Sequence, residues 1–169
     1  MTLLIAMILA AFAASAAEAA PPLKPGDPFP SWSLPAQDGS RVDSATLRGR
    51  TYLLWFYPKA MTPGCTTEGR GLRDRWVDFQ KLGVEIFGVS FDPPAVNEEF
   101  RNREQFPFPL LSDSDRSLAL AVGAAESPTA TVPRRISYLI GSDGKVRRVY
   151  DAVVPASHAG DVLGDLVSP

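Results

Sequence analysis

The amino-acid sequence predicts an α/β fold in which a central mixed β-sheet is flanked by helices. Residues 52–57 form an apolar run without alternation, which is typical of a strand buried on both faces. Apolar residues then recur at helical spacing before Gly83, a residue type that often ends helices. These apolar residues are Leu72, Trp76, Phe79 and Leu82. A second apolar run covers residues 84–89, so the order strand, helix, strand predicts a βαβ unit.

Before this unit, a proline-rich entry over residues 21–30 leads into a predicted hairpin. Short apolar segments at residues 32–34 and 41–42 flank Asp38 and Gly39, a dipeptide that favours tight turns between strands. We therefore expect an N-terminal β-hairpin beside the main sheet.

After the βαβ unit, the sequence predicts five further elements and a loop. Residues 92–94 start a helix that continues to about Gln105, and the prolines of residues 106–109 end it before Leu110. The remaining segments are a short helix over residues 113–122, a loop over 124–133, two strands at 136–140 and 146–150 joined by a turn, and a closing helix over 156–167. A βαβ unit followed by a hairpin and a helix is the order of a thioredoxin-like fold, although a fold alone does not assign a function.

The N-terminus predicts an export signal. An apolar stretch covers residues 3–14, and the triplet Ala17, Glu18, Ala19 matches a small-residue cleavage site, so we assign residues 1–19 to a signal peptide. The stretch is short for a membrane span. No Lys or Arg precedes it, which leaves an uncleaved N-terminal anchor as the alternative. Residues 20–169 then form one domain, secreted or periplasmic.

The charge balance and the residue counts exclude several classes of function. Lys and Arg number 17 against 19 acidic residues, so nothing favours nucleic acid or an anionic membrane as a partner. The single histidine, His158, and the single cysteine, Cys65, cannot supply the usual nitrogen and sulfur ligands of a metal site. We expect His158 at the surface at the start of the last helix, and we expect no cofactor.

Cys65 is the most informative residue of the chain. A lone cysteine is often only a small buried apolar residue. Cys65, however, follows a buried strand where a helix is expected to begin, and backbone N–H groups at a helix start favour a thiolate over a thiol. An unpaired cysteine in an exported protein is either a reactive thiol or an intermolecular partner.

The segment 56–68 resembles the active-site stretch of peroxiredoxins, and it is similar in detail to their peroxiredoxin Q, or bacterioferritin comigratory, branch. The resemblance extends from about Leu23 to the C-terminus. Its later landmarks are residues 86–90, 106–113 and 135–140. It implies a thiol-dependent peroxidase that reduces hydrogen peroxide and organic hydroperoxides, in which a thiolate attacks one oxygen and becomes a sulfenic acid.

The resemblance also implies the site residues. Cys65 is the peroxidatic residue, and Thr62 orients the thiolate and the peroxide through its hydroxyl. Pro58 lacks an N–H and stiffens the turn that shields the pocket. Arg135 binds the peroxide and stabilises the thiolate, with the adjacent Arg134 as the competing candidate.

Glu68 is a supporting residue that we place in the first helical turn, where it would complement the helix dipole. Gly69 and Gly71 weaken the predicted helix, so its start is expected to open readily.

The chain departs from many relatives of this branch, which carry a resolving cysteine five residues after the peroxidatic one. That position is Arg70 here, and no second cysteine exists. The sulfenic acid therefore needs an external thiol reductant, either a thioredoxin-like protein or a small thiol. We expect a monomer or a weak homodimer.

Two rival functions stay open at this stage. A dithiol oxidoreductase on the same fold needs a second cysteine where Glu68 stands. A non-catalytic secreted thioredoxin-like binding module would leave the pattern around Cys65 without a reason.

Overall fold

The computed structural model describes residues 19–167, so all of the predicted leader except Ala19 lies outside the described residues. The first elements are two antiparallel strands, β1 (Ser33–Pro35) and β2 (Arg41–Asp43), which confirm the predicted hairpin. Its turn is closed by the Asp38 carboxylate, which accepts a hydrogen bond from the Ser40 backbone N–H at 3.0 Å. Gly39 has a φ of 82°, a left-handed conformation that favours glycine. A 3₁₀ turn over Ser44–Leu47 follows.

Five strands form the main sheet: β3 (Thr51–Phe56), β4 (Val84–Ser90), β5 (Leu110–Ser112), β6 (Ile136–Ile140) and β7 (Val146–Tyr150). Their spatial order is β5-β4-β3-β6-β7. Strand β3 pairs in parallel with β4 and antiparallel with β6, while β4 and β5 are parallel and β6 and β7 antiparallel. The sheet is therefore mixed, as the sequence predicts, and β3 is its central strand.

The helices are α1 (Pro63–Asp74), α2 (Trp76–Lys81), α3 (Pro94–Glu104), α4 (Ser117–Ala121) and α5 (His158–Val167). Helices α1 and α2 connect the parallel strands β3 and β4, which confirms the predicted βαβ unit. Helix α3 ends where Gln105 takes a φ of 55°. None of the helices in the described part of the chain is both long and apolar enough to cross a bilayer.

Two helix predictions differ from the structure. The single helix expected before Gly83 is broken at Arg75 into α1 and α2, and Leu82, which the helical pattern assigned to the apolar face, is 42 % exposed. The short helix expected from residue 113 begins only at Ser117. Its start is delayed because Arg116 has a φ of 64° and the Asp113 carboxylate accepts the backbone N–H groups of Leu118 and Ala119.

The core has two halves, one on each face of the sheet. Alternate residues of β3 point to opposite faces, so Leu54 packs with the hairpin and α4, while Trp55 packs with α1, α2, α3 and α5. The second half also contains Cys65. Cys65, on α1, therefore faces a densely aromatic layer rather than bulk water.

Candidate active site

Cys65 lies in the first turn of α1, as the sequence predicts. The helix begins at Pro63, the residue type that best tolerates the first helical position, and Thr62 precedes it in an extended conformation with φ −79° and ψ 151°. The Cys65 side chain is free of disulfide and fully buried, at 0 % exposure. A peroxide must therefore enter the protein to reach sulfur, and a larger reductant requires the start of α1 to move.

Arg135 is the cation next to Cys65. It directly precedes β6, and its Nη2 donates to Cys65 Sγ at 3.5 Å, while Nη1 donates to Glu68 Oε2. The adjacent Arg134 is exposed, and its backbone N–H donates to the Ala124 carbonyl. Of the two arginines, the structure thus brings Arg135 to the sulfur.

The approach of Arg135 depends on a glycine in the first turn of α1. A Cβ atom placed on Gly64 would lie 3.0 Å from Arg135 Nη2 and 3.7 Å from its Cζ. Real Cβ contacts are rarely this close, so a side chain here would push the guanidinium away from the sulfur. The sequence analysis attached no role to Gly64, because the arginine that it accommodates is distant in the chain.

Thr62 and Pro58 flank the site but make other contacts. The Thr62 hydroxyl donates to the Lys59 carbonyl at 2.9 Å, closing the turn before α1. In this rotamer its proton is taken by that carbonyl, and only its lone pairs are free. Pro58 follows the central strand by two residues and is partly buried. It lines a cleft of about 270 Å³ together with Phe91, Asp92 and Val132.

Glu68 is not a surface residue that complements the helix dipole. It lies in the second turn of α1, its side chain is 0 % exposed, and Oε2 pairs with Arg135. Burial raises the pKa of Glu68, while the bond from Arg135 and the nearby Trp55 indole act in the opposite direction. Its second oxygen, Oε1, is buried and has no partner at hydrogen-bond geometry among the described residues.

The expectation that His158 lies at the surface is wrong. His158 does start α5, but it is 1 % exposed, and its Nε2 lies 2.9 Å from Ser137 Oγ and 3.7 Å from Glu68 Oε1. Burial lowers the pKa of His158 to about 4; Asp161 acts against this shift and Arg135 adds to it. The imidazole is therefore neutral near pH 7.

The position of an absent resolving cysteine is occupied by an ion pair. Arg70 Nε donates to Glu104 Oε2 at 2.6 Å, which ties α1 to the end of α3. Packing explains why the neighbouring residue 69 is a glycine. A Cβ on Gly69 would lie 2.5 Å from Phe106 Cζ and 2.9 Å from the Trp55 ring. Gly69 thus allows two aromatic rings to contact the helix backbone.

Sequence reasoning found Cys65 and Arg135 but missed the group that surrounds them. Glu68 stands three residues after Cys65, so both share one helix face, and Ser137 stands two after Arg135 on the same strand face. These spacings were available in the sequence. No spacing connects His158 with Ser137, because their contact depends on how α5 docks. Among residues 19–167, no cluster of three or more His, Cys, Asp or Glu side chains could hold a metal ion.

A buried thiol at a helix start, with a guanidinium within hydrogen-bond distance of sulfur and a mixed sheet beneath it, defines a thiol-based oxidoreductase. The comparisons make this class specific. The AhpC/TSA family profile matches residues 25–149. The chain is 41% identical over 147 residues to peroxiredoxin Bcp of Escherichia coli (strain K12), covering 84% of this chain and 94% of the relative. It is 34% identical over 144 residues to chloroplastic peroxiredoxin Q of Oryza sativa subsp. japonica, covering 85% of this chain and 66% of the relative.

Solved structures agree with this relationship. Peroxidoxin BcpB from Mycobacterium tuberculosis superposes with a TM-score of 0.80 at 30% identity, covering 87% of this chain and 99% of that one. A trapped-intermediate structure of Xanthomonas campestris bacterioferritin comigratory protein is described by its alkyl peroxide reduction activity. It superposes with a TM-score of 0.76 at 30% identity, covering 88% of this chain and 97% of that one. The chain belongs to the AhpC/TSA family of peroxiredoxins. It is a thiol-dependent peroxidase with a thioredoxin-like fold, and its homologues are of the Bcp and peroxiredoxin Q type. These relationships do not support the non-catalytic binding module.

Proposed function

We propose that Cys65 is the peroxidatic residue of this peroxidase and that Arg135 is its activating cation. The Cys65 thiolate attacks one oxygen of a hydroperoxide, the S–O bond forms as the O–O bond breaks, and the second oxygen leaves as an alkoxide or hydroxide. The attacked oxygen keeps its own proton and becomes part of the Cys65 sulfenic acid, while the leaving oxygen takes up one proton to give an alcohol or water. The 3.5 Å contact between Arg135 Nη2 and Cys65 Sγ carries this proposal.

The charge of Arg135 suits both ends of this step. A guanidinium stays protonated and offers several N–H donors in one plane, so it can face the thiolate and the peroxide together. As electrons move along the O–O bond, negative charge grows on the leaving oxygen, and a fixed donor there lowers the barrier. Glu68 holds one edge of the guanidinium and leaves Nη2 for the sulfur side.

Thr62 and Pro58 have supporting roles in the proposal. Rotation of the Thr62 hydroxyl away from the Lys59 carbonyl would give the peroxide a second donor, at the cost of one turn hydrogen bond. Pro58 fixes φ after the central strand and has no N–H to offer, so it stiffens the turn that leads to Thr62.

The test is peroxide consumption by residues 20–169 in the presence of dithiothreitol. We expect hydrogen peroxide and an organic hydroperoxide, such as cumene hydroperoxide, to be consumed in a protein-dependent reaction. Cys65→Ser should consume neither, while its circular dichroism spectrum matches that of the wild type. Equal consumption by Cys65→Ser would overturn the assignment of Cys65. Because the X. campestris relative is described by alkyl peroxide reduction, we expect the organic hydroperoxide to be a substrate here too.

We further propose a one-cysteine cycle with an external thiol. Arg70 stands where a resolving cysteine would be, so the Cys65 sulfenic acid has no thiol within the chain to condense with. An external thiol attacks the sulfenic sulfur, releases water and leaves a mixed disulfide, which a second thiol then reduces. Because Cys65 is fully buried, the start of α1 must open for this exchange.

Location and assembly complete the proposal. We infer that residues 1–19 direct export and are removed, so that the mature peroxidase of residues 20–169 acts in the periplasm or outside the cell. Its physiological donor is then a thiol of that compartment, and the enzyme works as a monomer or weak homodimer. Cell fractionation with intact-mass measurement of the recovered protein tests this: a mature chain beginning at Ala20 is expected, and a full-length membrane-bound chain would support the uncleaved anchor.

A further inference from the structure

The buried group behind Arg135 contains an oxygen that the reaction scheme does not use. Glu68 Oε1 is fully buried and has no partner at hydrogen-bond geometry among the described residues, although its other oxygen pairs with Arg135. An unpartnered oxygen on a buried carboxylate is unfavourable, so donors that face it have an effect on where the carboxylate sits.

Two potential donors from different elements lie close to this carboxylate. His158 Nε2, on α5, lies 3.7 Å from Glu68 Oε1, and the Trp55 indole, on β3, is close enough to influence the carboxylate, although its Nε1 also has no partner at hydrogen-bond geometry among the described residues. The His158 ring is held in turn: Ser137 Oγ, on β6, lies 2.9 Å from Nε2, and the Tyr150 ring packs edge-on at a centroid distance of 5.3 Å. The imidazole therefore has little freedom to turn away.

We propose that His158, held by Ser137, is a positioning residue that fixes the Glu68 carboxylate and, through it, the Arg135 guanidinium against Cys65. The inference rests on the proposed role of Arg135, and it extends that role to residues that do not touch the peroxide. In this arrangement His158 carries its proton on Nε2, and this N–H donates to Ser137 Oγ while its positive end faces Glu68 Oε1 at 3.7 Å. The neutral ring presents this N–H to the carboxylate without competing with Arg135 for its charge.

The geometry explains why a histidine suits this position. A lysine or arginine would bring a full positive charge and compete with Arg135 for Glu68. An apolar residue would leave Oε1 without the N–H of His158 that faces it. Burial lowers the pKa of His158 to about 4, which keeps the ring neutral near pH 7.

The first test is a comparison of variants by their second-order rate with hydrogen peroxide. His158→Leu removes the donor, whereas His158→Gln keeps an N–H near the position of Nε2. We expect His158→Leu to be slowed about 10-fold, by analogy with other residues that orient a functional side chain, and His158→Gln to recover most of the rate. Equal slowing in both variants would overturn the proposal. Ser137→Ala is a smaller change in the same contact and should also be slowed. It provides the test if His158→Leu does not fold.

A double-mutant cycle separates positioning from a loss of stability. If His158 acts through Arg135, its replacement should change the rate by less than about 2-fold when Arg135 is already Ala. A full 10-fold effect in the Arg135→Ala background would show that His158 acts by another route.

The second test does not depend on activity. Nitrogen-15 NMR of the His158 side chain at pH 7 should show the Nε2–H tautomer, and Glu68→Gln should shift its signal. The Nδ1–H tautomer, or no response to Glu68→Gln, would overturn the inference even if the peroxidase assignment holds. Conversely, the expected NMR result with no peroxidase activity would retain the contact and reject the proposed function.

Discussion

Two buried polar clusters lie in the aromatic half of this protein, and they are built in opposite ways. The neutral cluster consists of Tyr57, Ser90, Asn97 and Ser112 and links β3, β4, α3 and β5. The ionic cluster consists of Glu68, Arg135, Ser137 and His158 and lies next to Cys65. Both clusters are composed of side chains from distant parts of the sequence.

The neutral cluster has its central amide fully bonded. Asn97 Oδ1 accepts from the Tyr57 hydroxyl at 2.7 Å and from Ser90 Oγ at 3.3 Å, while Nδ2 donates to Ser112 Oγ at 3.1 Å and to the Leu111 carbonyl at 3.3 Å. No member carries a charge. Such an arrangement holds elements in register and has no capacity left for a substrate.

In the ionic cluster, part of the hydrogen-bonding capacity is unused. Within residues 19–167, Glu68 Oε1 has no partner at hydrogen-bond geometry, and one nitrogen of Arg135 faces a sulfur atom rather than a carboxylate. Buried charges with incomplete bonding are unfavourable for stability, and they concentrate at functional sites. Both clusters are buried, but they differ in how completely their hydrogen-bonding groups are paired. Incomplete pairing, more than burial itself, distinguishes the chemical site from the structural one.

The largest effect is expected at Arg135. Arg135→Ala removes the donor at 3.5 Å from Cys65 Sγ and should slow peroxide reduction about 100-fold, as the loss of one fixed donor does in other enzymes. Stopped-flow measurement of peroxide reduction checks this. The matched control is Arg134→Ala, which removes an exposed guanidinium one residue away and should leave the rate unchanged. The opposite ranking of the two variants would mean that the wrong arginine was chosen.

Thr62→Val tests the second proposed donor in the same assay. We expect a slowing of the order of 100-fold as well if the hydroxyl reaches the peroxide. A rate equal to that of the wild type would show that Thr62 only closes the turn through its bond to the Lys59 carbonyl.

In the neutral cluster, the expected change is in stability and not in rate. Asn97→Ala leaves the Tyr57 hydroxyl and Ser112 without their partner and should lower the free energy of unfolding by about 3 kcal/mol. Urea unfolding measures this change. Ser90→Ala removes the 3.3 Å contact to Asn97 Oδ1 and the 3.2 Å bond from the Asp92 backbone N–H, and should lower the free energy of unfolding by about 2 kcal/mol. A tenfold loss of rate in folded Asn97→Ala would break the distinction between the clusters.

His158 predicts how stability changes with pH. Its pKa is about 4 in the folded protein and 6.5 as the ordinary value, so the unfolded chain binds the proton more readily. The stability contributed by neutral His158 is therefore present above about pH 6.5 and is lost as pH falls through 4, with a total on the order of 3 kcal/mol. Glu68, whose pKa is raised, titrates with the opposite sign.

Comparing the wild type with His158→Gln by urea unfolding between pH 7 and 4 isolates the histidine. The wild type should lose more stability over this range than the variant does. Parallel curves would show that His158 is not buried as a neutral ring.

The last expected effect concerns the packing of α1. Gly69→Ala places a Cβ against the Phe106 and Trp55 rings and should lower the free energy of unfolding by about 2 kcal/mol. Gly160→Ala is the control, since a Cβ at this helical position meets nothing within 4 Å, and it should be neutral or stabilising by up to about 1 kcal/mol. Equal effects would mean that helix propensity, and not ring contact, explains Gly69.

The sequence predicted those features that local pattern determines. The β3 run, the βαβ connection, both hairpins and the placement of Cys65 at a helix start follow from periodicity and turn residues, and the structure confirms them. The break at Arg75 was not predicted, because an apolar residue every three or four positions does not show where a helix interrupts its hydrogen bonds.

The candidate site was predictable only in part. The family pattern pointed to Cys65 and Arg135, but the burial of Glu68 and His158 results from the docking of α5 against α1 and β6, for which no local pattern exists. A charged or titratable residue in a helix is expected to be exposed by default, and this expectation was stated for His158, which instead is buried against Glu68.

The measurement that tests the account most directly is the intact mass of the protein after one equivalent of hydroperoxide without reductant. The account predicts one added oxygen per chain, located on Cys65, with a second appearing as peroxide is increased and nothing internal to trap the first product. A small thiol added before the excess should return the mass to its starting value. A rapid and complete shift to a dimer linked through Cys65 on each chain would contradict the one-cysteine cycle, and an unchanged mass would contradict the assignment of Cys65 itself.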